Sequence, residues 1–518
     1  MDKKPSSQRR SNFFTLRPGV ADGAALVSGL LLPLAFSPFD WSLLAIICPA
    51  FLFLLWSPAS PRRAAWRGFL FGLGMFGLGV SWVYVSMHRF GNMPLPLAAL
   101  ATLLFVMGLS LYPALFGWLQ ARFLNRRHIT HTVLVLPAMW VLLEWVRGWF
   151  LTGFPWLNVG YSQVAGPLAG YAPVFGVYGV SFFCVLSAGL LAATLHDPKK
   201  FWLLFLPPLA LVWIGGWLVG NVEWTQALDK PLQVSLIQGN ISLESKWRPE
   251  NRNAILERYL TLSEQAPRSD LIVWPESAIP TYFDTIDSNY LDRLRRLSFE
   301  RNTDFVIGIV ERDADRRRYY NSAVNIGAAG GVYRKHHLVP FGEFLPLQTL
   351  FGWLLQTLEI PMSDFSAGPA NQPPLLVAGQ KVGVSICYED AFGEEVIRAL
   401  PQATLLINVS EDAWFGDSLG PHQRVQMARM RARETGRSLL RAANTGPSMV
   451  IDAQGKIAAL SPQFQAYTLT AMVQPLQGMT PYGRWGNLPI ILLLSVVSVI
   501  AGIARLAIKR QTSRWRSI

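Results

Sequence analysis

A chain of 518 residues with 51% hydrophobic and only 15% charged residues falls well short of the roughly 25% charge of an ordinary soluble domain, which excludes a wholly soluble protein of average composition. Nineteen Trp and 30 Phe point the same way, to segments in contact with lipid. The formal net charge of +13 sits in short clusters beside apolar runs, as membrane topology is written; no basic helix with interleaved aromatics stands in a soluble context, so nucleic acid is not an expected partner.

In chain order, apolar stretches near the about 20 residues that a bilayer crossing needs fall at 20–36, 42–57, 66–87, 95–121, 132–150, 172–195, 201–220 and 486–507. Pro33 and Pro49 interrupt the first two, and Pro38 lies between them. Lys3, Lys4, Arg9, Arg10 and Arg17 precede the first run. Arg62, Arg63 and Arg67 follow the second, Arg122, Arg126 and Arg127 the fourth, and Lys199 and Lys200 the sixth. Arg505, Lys509, Arg510, Arg514 and Arg516 end the last, while the loops around 37–41 and 88–94 hold Arg89 as their only basic residue. This alternation predicts about eight spans, both termini in the cytoplasm, and residues 221–485 outside it. The first run is followed by further spans and ends in no clear small-residue cleavage site, so it is expected to stay as an anchor.

Gly72-Leu73-Gly74-Met75-Phe76-Gly77 matches a dinucleotide-binding pattern but lacks the preceding strand and the following acidic residue; Gly68 and Gly72 instead predict close helix packing. Glu144 and Arg147, three apart near a span end, are expected to pair. Residues 151–171 carry no charge and many aromatics. A re-entrant or interfacial segment lining a lipid-facing entrance and a longer aromatic-belt loop both fit that composition.

From 221 the pattern changes to short apolar strands alternating with amphipathic helices. Strands are expected at 233–238, 271–276, 304–310, 323–327, 382–389 and 404–410, with helices near 249–266, 287–300 and 420–436. Further strands follow near 438–442, 448–452, 457–460 and 467–473. This is an α/β layered domain with late hairpins, and about 265 residues suffice to bury its own core. The division expected is a bundle over 1–220, a catalytic domain over 221–485, and a last span with a basic tail over 486–518.

Three residues of this domain invite chemistry. Glu276 ends the strand LIVWPE beside Trp274 and Pro275, where desolvation makes a carboxylate a better base. Lys335 precedes a Pro/Gly-containing loop and can turn an ammonium toward a developing oxyanion. Cys387 is the one cysteine of the soluble region; Cys48 and Cys184 lie in apolar runs. It is either a small buried hydrophobe or a reactive thiol. Taken singly, each has an ordinary structural reading: a salt-bridged carboxylate, a surface lysine, a core cysteine. The seven His are scattered, and His336-His337 are adjacent, so no metal site and no cofactor are expected.

Taken together they do more. WPESAIP (274–280), YRKHHLVPFGEFLP (333–346) and ICYED (386–390) resemble the nitrilase superfamily and, within it, the bacterial apolipoprotein N-acyltransferases. TGFPWL (152–157), SKW (245–247), DAWFG (412–416) and QMARMRA (426–432) extend the resemblance over nearly the whole chain. It implies a polytopic α-helical membrane domain joined to an αββα nitrilase-like sandwich. Glu276 is then the general base, Lys335 the stabiliser of the tetrahedral intermediate and Cys387 the acylated nucleophile. Glu343, Tyr388 and Glu389 support the pocket, and Trp247, Trp414 and Phe415 lie toward the substrate entrance. One departure is visible: Glu411 stands where the family commonly has Asn, which puts a neutral hydrogen bond there in doubt.

The resemblance further implies a ping-pong transfer from a phospholipid acyl donor, through a Cys387 thioester, to the α-amino group of a diacylglyceryl-modified apolipoprotein. The expected setting is a monomer in a bacterial inner membrane, its catalytic domain on the periplasmic face. A membrane-tethered amidase with the same triad would need only one anchor. A transporter or lipid-binding protein with a degenerate domain would have lost a triad member or placed charges deep in its spans. The basic helix at 424–437 reads as partly solvated, with ion pairs to Glu434; attraction of lipid phosphate is the other reading.

Overall fold

The computed structural model describes residues 16–124, 129–196, 202, 205–228, 230–344 and 365–514. An apolar helix lies at each of the eight expected stretches: Pro18–Leu31, Leu44–Trp56, Pro61–Gly79, Leu95–Phe123, Leu136–Arg147, Ala172–His196, Leu206–Gly220 and Leu488–Arg514. Among the described residues, three helical segments are long and apolar enough to cross a membrane, and a fourth counts if Pro61–Gly79 and Trp82–Phe90, bent by 51°, form one broken span. Leu44–Trp56, Leu136–Arg147 and Leu206–Gly220, of 13, 12 and 15 residues, are shorter than a straight crossing requires, whereas Leu488–Arg514 runs 27 residues, so helix number and the count of full-length spans differ. The Leu95–Phe123 helix exposes Leu100, Leu103, Leu104, Met107, Leu111 and Leu115, a face too apolar for water.

Gly68 and Gly72 do serve close packing. A side chain at Gly68 would strike the Pro113 carbonyl of the facing Leu95–Phe123 helix, and one at Gly72 would meet Ser110. Glu144 and Arg147 do not pair directly among the described residues. Arg147 donates to the carbonyls of Phe154 and Trp156 and to Asn158 Oδ1, while Glu144 accepts from Trp140 Nε1 and the Val159 N–H. The two side chains thereby fasten the uncharged segment that follows. That segment is an interior connector more than a surface loop: residues 155–164 are buried in short turns. Trp156 donates to Gln423, and Tyr161 to the Ala391 carbonyl.

The strands are β1 (Thr225–Ala227), β2 (Leu232–Gln238), β3 (Leu271–Tyr282), β4 (Asp304–Arg312), β5 (Tyr319–Ile326), β6 (Val332–Arg334), β7 (Leu375–Val377), β8 (Gln380–Ile386), β9 (Leu405–Ser410), β10 (Leu439–Ala443), β11 (Met449–Ile451), β12 (Ile457–Leu460), β13 (Tyr467–Val473) and β14 (Leu476–Gly478). They form two six-stranded sheets, ordered β13-β2-β3-β4-β5-β6 and β12-β11-β10-β9-β8-β7, and a small β1-β14 pair. Each large sheet has a parallel centre, β2-β3-β4 or β8-β9-β10, with antiparallel strands outside it.

Strand alternation builds the layers. Leu271 and Val273 of β3 face the second sheet with Ile386, Ile407 and Leu440. Ile272 and Trp274 face the helices Arg252–Gln265 and Ser288–Arg301 through Leu256, Tyr259 and Leu294. On the other outer face the Leu419–Thr435 helix packs Val425, Ala428 and Ala432 against Leu406 and Leu439. The result is the αββα sandwich, its two parallel centres stacked so that their carboxyl ends lie together.

Candidate active site

Glu276 lies within β3 and not at its end. Regular pairing with β4 stops at Trp274↔Ile307 and resumes at Ile279↔Ile309, and Ser277 has a left-handed φ of 48°. Gly308 makes this irregularity fit, since a side chain there would strike the Pro275 carbonyl and the Glu276 Cα. Lys335 follows β6, and its N–H continues the ladder to the Asn321 carbonyl at 2.7 Å. Cys387 follows β8 with a left-handed φ of 49°, a conformation that costs a non-glycine residue and persists only where the surroundings enforce it.

The side chains converge. Lys335 Nζ lies 2.8 Å from Glu343 and 3.6 Å from Glu276 Oε1. Asn321 Nδ2 donates to both carboxylates, at 2.7 Å to Glu276 and 2.9 Å to Glu343. The Glu411 N–H holds Glu276 Oε2 at 2.8 Å. Glu343 also accepts from the Val339 N–H. Glu389 sits beneath the nucleophile and accepts from the N–H groups of Ile386, His336 and His337 and from the Tyr333 hydroxyl. One carboxylate thus ties the loop after Lys335 to the turn bearing Cys387.

Burial, then the charge of Glu276, pushes the Cys387 thiol up to about 11, against the pull of Arg424 and Lys335. The resting sulfur is therefore protonated at neutral pH and needs a base at the moment of attack. Burial works against the Lys335 ammonium, but Glu343 and Glu276 outweigh it and hold the group charged. Burial lifts the Glu389 carboxyl to about 7 despite its backbone donors.

The entrance residues separate. Trp247 ends the short Leu243–Lys246 helix and is 38% exposed. Trp414 gives its carbonyl to Ser86 and meets Phe90 edge-on, so its turn rests on the outer half of the bent helix pair. Phe415 is buried against Trp82 and Trp156. Tyr388 donates to the Gly153 carbonyl at 2.9 Å and stacks on Trp156.

Beyond Asn321, two features were missed from the sequence. Lys246 is 1% exposed, donates to the Glu276 carbonyl and pairs with Glu411 at 2.5 Å; the contact Glu411 makes here is ionic. The Leu419–Thr435 helix makes the expected ion pair to Glu434 through Arg431, but it and the residues after it are less solvated than expected. Arg424, Arg431 and Arg437 are fully buried, paired with Asp390, with Glu434, and with the Ala403 and Gly478 carbonyls, respectively. Arg429 and Arg433 remain nearer the surface and donate to the Gly455 and Gln454 carbonyls. A run of arginines reads as solvated because its charge is visible in sequence and its partners are not. Among the described residues no group of three or more His, Cys, Asp or Glu could hold a metal.

Two stacked, helix-flanked sheets, with a carboxylate, an ammonium and a thiol meeting where the parallel strands end, define an enzyme of the carbon-nitrogen hydrolase superfamily, here joined to an apolar helical bundle. Residues 233–481 match the carbon-nitrogen hydrolase family, and residues 28–190 match the apolipoprotein N-acyltransferase N-terminal domain. An apolipoprotein N-acyltransferase of Methylococcus capsulatus is 44% identical over 487 residues, covering 94% of this chain and 95% of its own. One of Nitrosomonas europaea is 44% identical over 507 residues, covering 97% and 100%. One of Pseudomonas aeruginosa is 43% identical over 490 residues, covering 93% and 95%. The chain belongs to the apolipoprotein N-acyltransferase family.

Proposed function

We propose that this enzyme moves a fatty acyl chain from a membrane phospholipid to the α-amino group of the N-terminal S-diacylglyceryl-cysteine of apolipoproteins. Cys387 forms a bond to the ester carbonyl carbon as Glu276 takes the thiol proton. The carbonyl electron pair moves onto oxygen, opposite Lys335, and returns as the lysophospholipid leaves with the proton. The amine then attacks the thioester, gives its proton to Glu276, and forms the amide as the C–S bond breaks. Glu343 and Asn321 hold Lys335 and Glu276 in register, so little reorganisation accompanies charge development.

The observation that carries this reading is that the turn bearing the nucleophile packs against the bundle through the residue next to it. Tyr388, Ala391 and Phe415 belong to the same buried apolar cluster as Trp82, Trp156 and Val177. The apolar surroundings that suit an acyl chain thus extend to Tyr388, the residue next to the thiol. The charge alternation of the loops supports an inner-membrane setting with both termini cytoplasmic and the sandwich on the periplasmic face. We take the working unit to be a monomer, with all three reacting side chains in one chain.

Intact-mass measurement of the full-length protein incubated with phospholipid, and no amine acceptor, tests the reading. Wild type is expected to gain one acyl chain that hydroxylamine removes, and Cys387→Ala to gain none. A folded wild type that gains no acyl chain overturns the thioester.

A further inference from the structure

We propose that Arg424 is a second catalytic cation of this centre, holding the Cys387 sulfur whenever that atom carries negative charge; the proposal rests on the thioester reading above. The observation is the unequal use of the two ends of one guanidinium. Nη2 donates to the Cys387 carbonyl at 2.7 Å, lies 2.9 Å from Asp390 and 3.3 Å from Ser410 Oγ. Nη1 has the Cys387 sulfur, at 3.4 Å, as its one hydrogen-bond partner among the described residues.

A thiol is a weak acceptor, whereas a thiolate forms a charge-assisted bond. The Nη1 contact is therefore strongest in the charged state, the condition under which an interaction speeds a step as well as tightening the resting fold. Arg424 is fully buried, where charge interactions are less screened than in water. Its other arm is anchored at three points, so the donor is already aimed before charge develops. Lys335 is committed elsewhere, to Glu343 and Glu276. The two cations divide the work: Lys335 faces the carbonyl oxygen and Arg424 the sulfur.

The role falls in both half-reactions. During acylation the S–H proton passes to Glu276 as the S–C bond forms. During aminolysis the amine nitrogen bonds to the carbonyl carbon and its proton goes to Glu276. The C–S bond then breaks with its electron pair on sulfur. Arg424 receives that thiolate until Glu276 returns the proton to it.

The thiol is surrounded by Glu276 and Asp412, which raise it, and by Arg424 and Lys335, which lower it. Iodoacetamide alkylation of Cys387 across pH, located by peptide mapping in the full-length detergent-solubilised enzyme, reads the sulfur directly. Single-turnover aminolysis of the pre-formed acyl-enzyme reads the leaving step. Arg424→Gln combined with Asp390→Asn removes the buried pair together and leaves no lone carboxylate. It is expected to move the alkylation midpoint up by about one pH unit, a tenfold loss of thiolate, and to slow aminolysis at least about tenfold. Arg424→Lys recovers part of both. Asp390→Asn alone, which frees the guanidinium of its counter-charge, moves the midpoint down.

A folded double variant with wild-type midpoint and aminolysis rate overturns the proposal. If the double variant does not fold, an Asp390→Asn enzyme with an unmoved midpoint does so. Failure of the thioester reading is separately visible as absence of acyl-enzyme on wild type, because alkylation needs no acyl donor.

Discussion

Lys246→Met perturbs the general base while leaving its side chain unaltered. Lys246 Nζ holds the Glu276 carbonyl at 3.2 Å and Glu411 Oε2 at 2.5 Å. Glu411 in turn donates its N–H to Glu276 Oε2 and accepts from Asn444 Nδ2 at 3.0 Å. The substitution leaves a 3% exposed carboxylate with an amide as its main remaining partner. Breaking one side of such a buried pair costs about 3–5 kcal/mol. Burial raises the Glu411 carboxyl and Lys246 is the chief opposing influence, so the variant's Glu411 lies higher still and takes up a proton as pH falls. A raised carboxyl contributes stability below its ordinary range and loses it as pH rises; the deficit is therefore largest at pH 8 and shrinks toward pH 5. Lys246→Met with Glu411→Gln removes both charges and is expected to regain stability to within about 1 kcal/mol of wild type. Acyl transfer stays down by about ten- to a hundredfold in both variants, since the Glu276 carbonyl has lost its anchor. Tryptophan-fluorescence unfolding in detergent at pH 5 and 8, with acyl-transfer rates on the same samples, checks both halves. A single variant that unfolds at the wild-type midpoint at pH 8 refutes the buried pair, and a double variant with full activity refutes its link to Glu276.

Glu276→Gln is expected to slow acyl-enzyme formation by about 10²–10⁴-fold while lowering the pH at which iodoacetamide modifies Cys387, because Glu276 is, after burial, the leading influence raising that thiol; stopped-flow acylation and alkylation separate the two effects. Glu389, lifted to about 7 from an ordinary 4.5, contributes stability that is fully present below 4.5 and lost as pH rises through 7. Glu389→Gln should remove that slope from unfolding midpoints measured between pH 4 and 8. Gly153→Ala places a side chain at φ 90° against the Gly148 carbonyl and displaces the acceptor of Tyr388. A loss of about 1–3 kcal/mol and reduced acylation are expected, whereas Gly77→Ala, which points into open space, should leave unfolding midpoint and rate unchanged.

The parts of the fold visible in sequence are those with a repeating pattern. Leu271–Trp274 and Leu405–Val409 declare themselves because their apolar runs are bounded by helices of a different period. β6, β7 and β14, three residues each, are too short to carry a period, yet β6 delivers Lys335. The continuation of β3 past Glu276 was invisible for another reason: the Pro275-Glu276-Ser277 irregularity depends on the bare surface of Gly308, a partner 32 positions away. Eight apolar stretches predicted eight helices, but hydropathy does not report helix length. Leu44–Trp56 and Leu206–Gly220, of 13 and 15 residues, fall short of a straight crossing. Arg424 and Lys246 were hidden because burial of a cation is decided by its partners, Asp390 and Glu411, which stand 34 residues before Arg424 and 165 after Lys246 in the chain.

The turn at Cys387 joins two cores. Cys387 packs with Ile386, Val409 and Leu440 between the sheets, while the adjacent Tyr388 packs with the bundle. A residue at left-handed φ stays there only if its neighbours leave it no alternative. Here the constraint comes from both sides at once: β8 and Glu389 behind, Tyr388 on Gly153 and Trp156 ahead. The position of the sulfur is thus set by how the sandwich sits on the helices. Tyr388→Phe tests this, because it removes one hydrogen bond to Gly153, worth about 1 kcal/mol, and leaves the stacking ring in place. If the anchoring controls the nucleophile, acylation falls by more than the change in unfolding midpoint accounts for, and iodoacetamide reactivity of Cys387 changes with it. Equal acylation at unchanged stability would mean that the ring alone holds the turn.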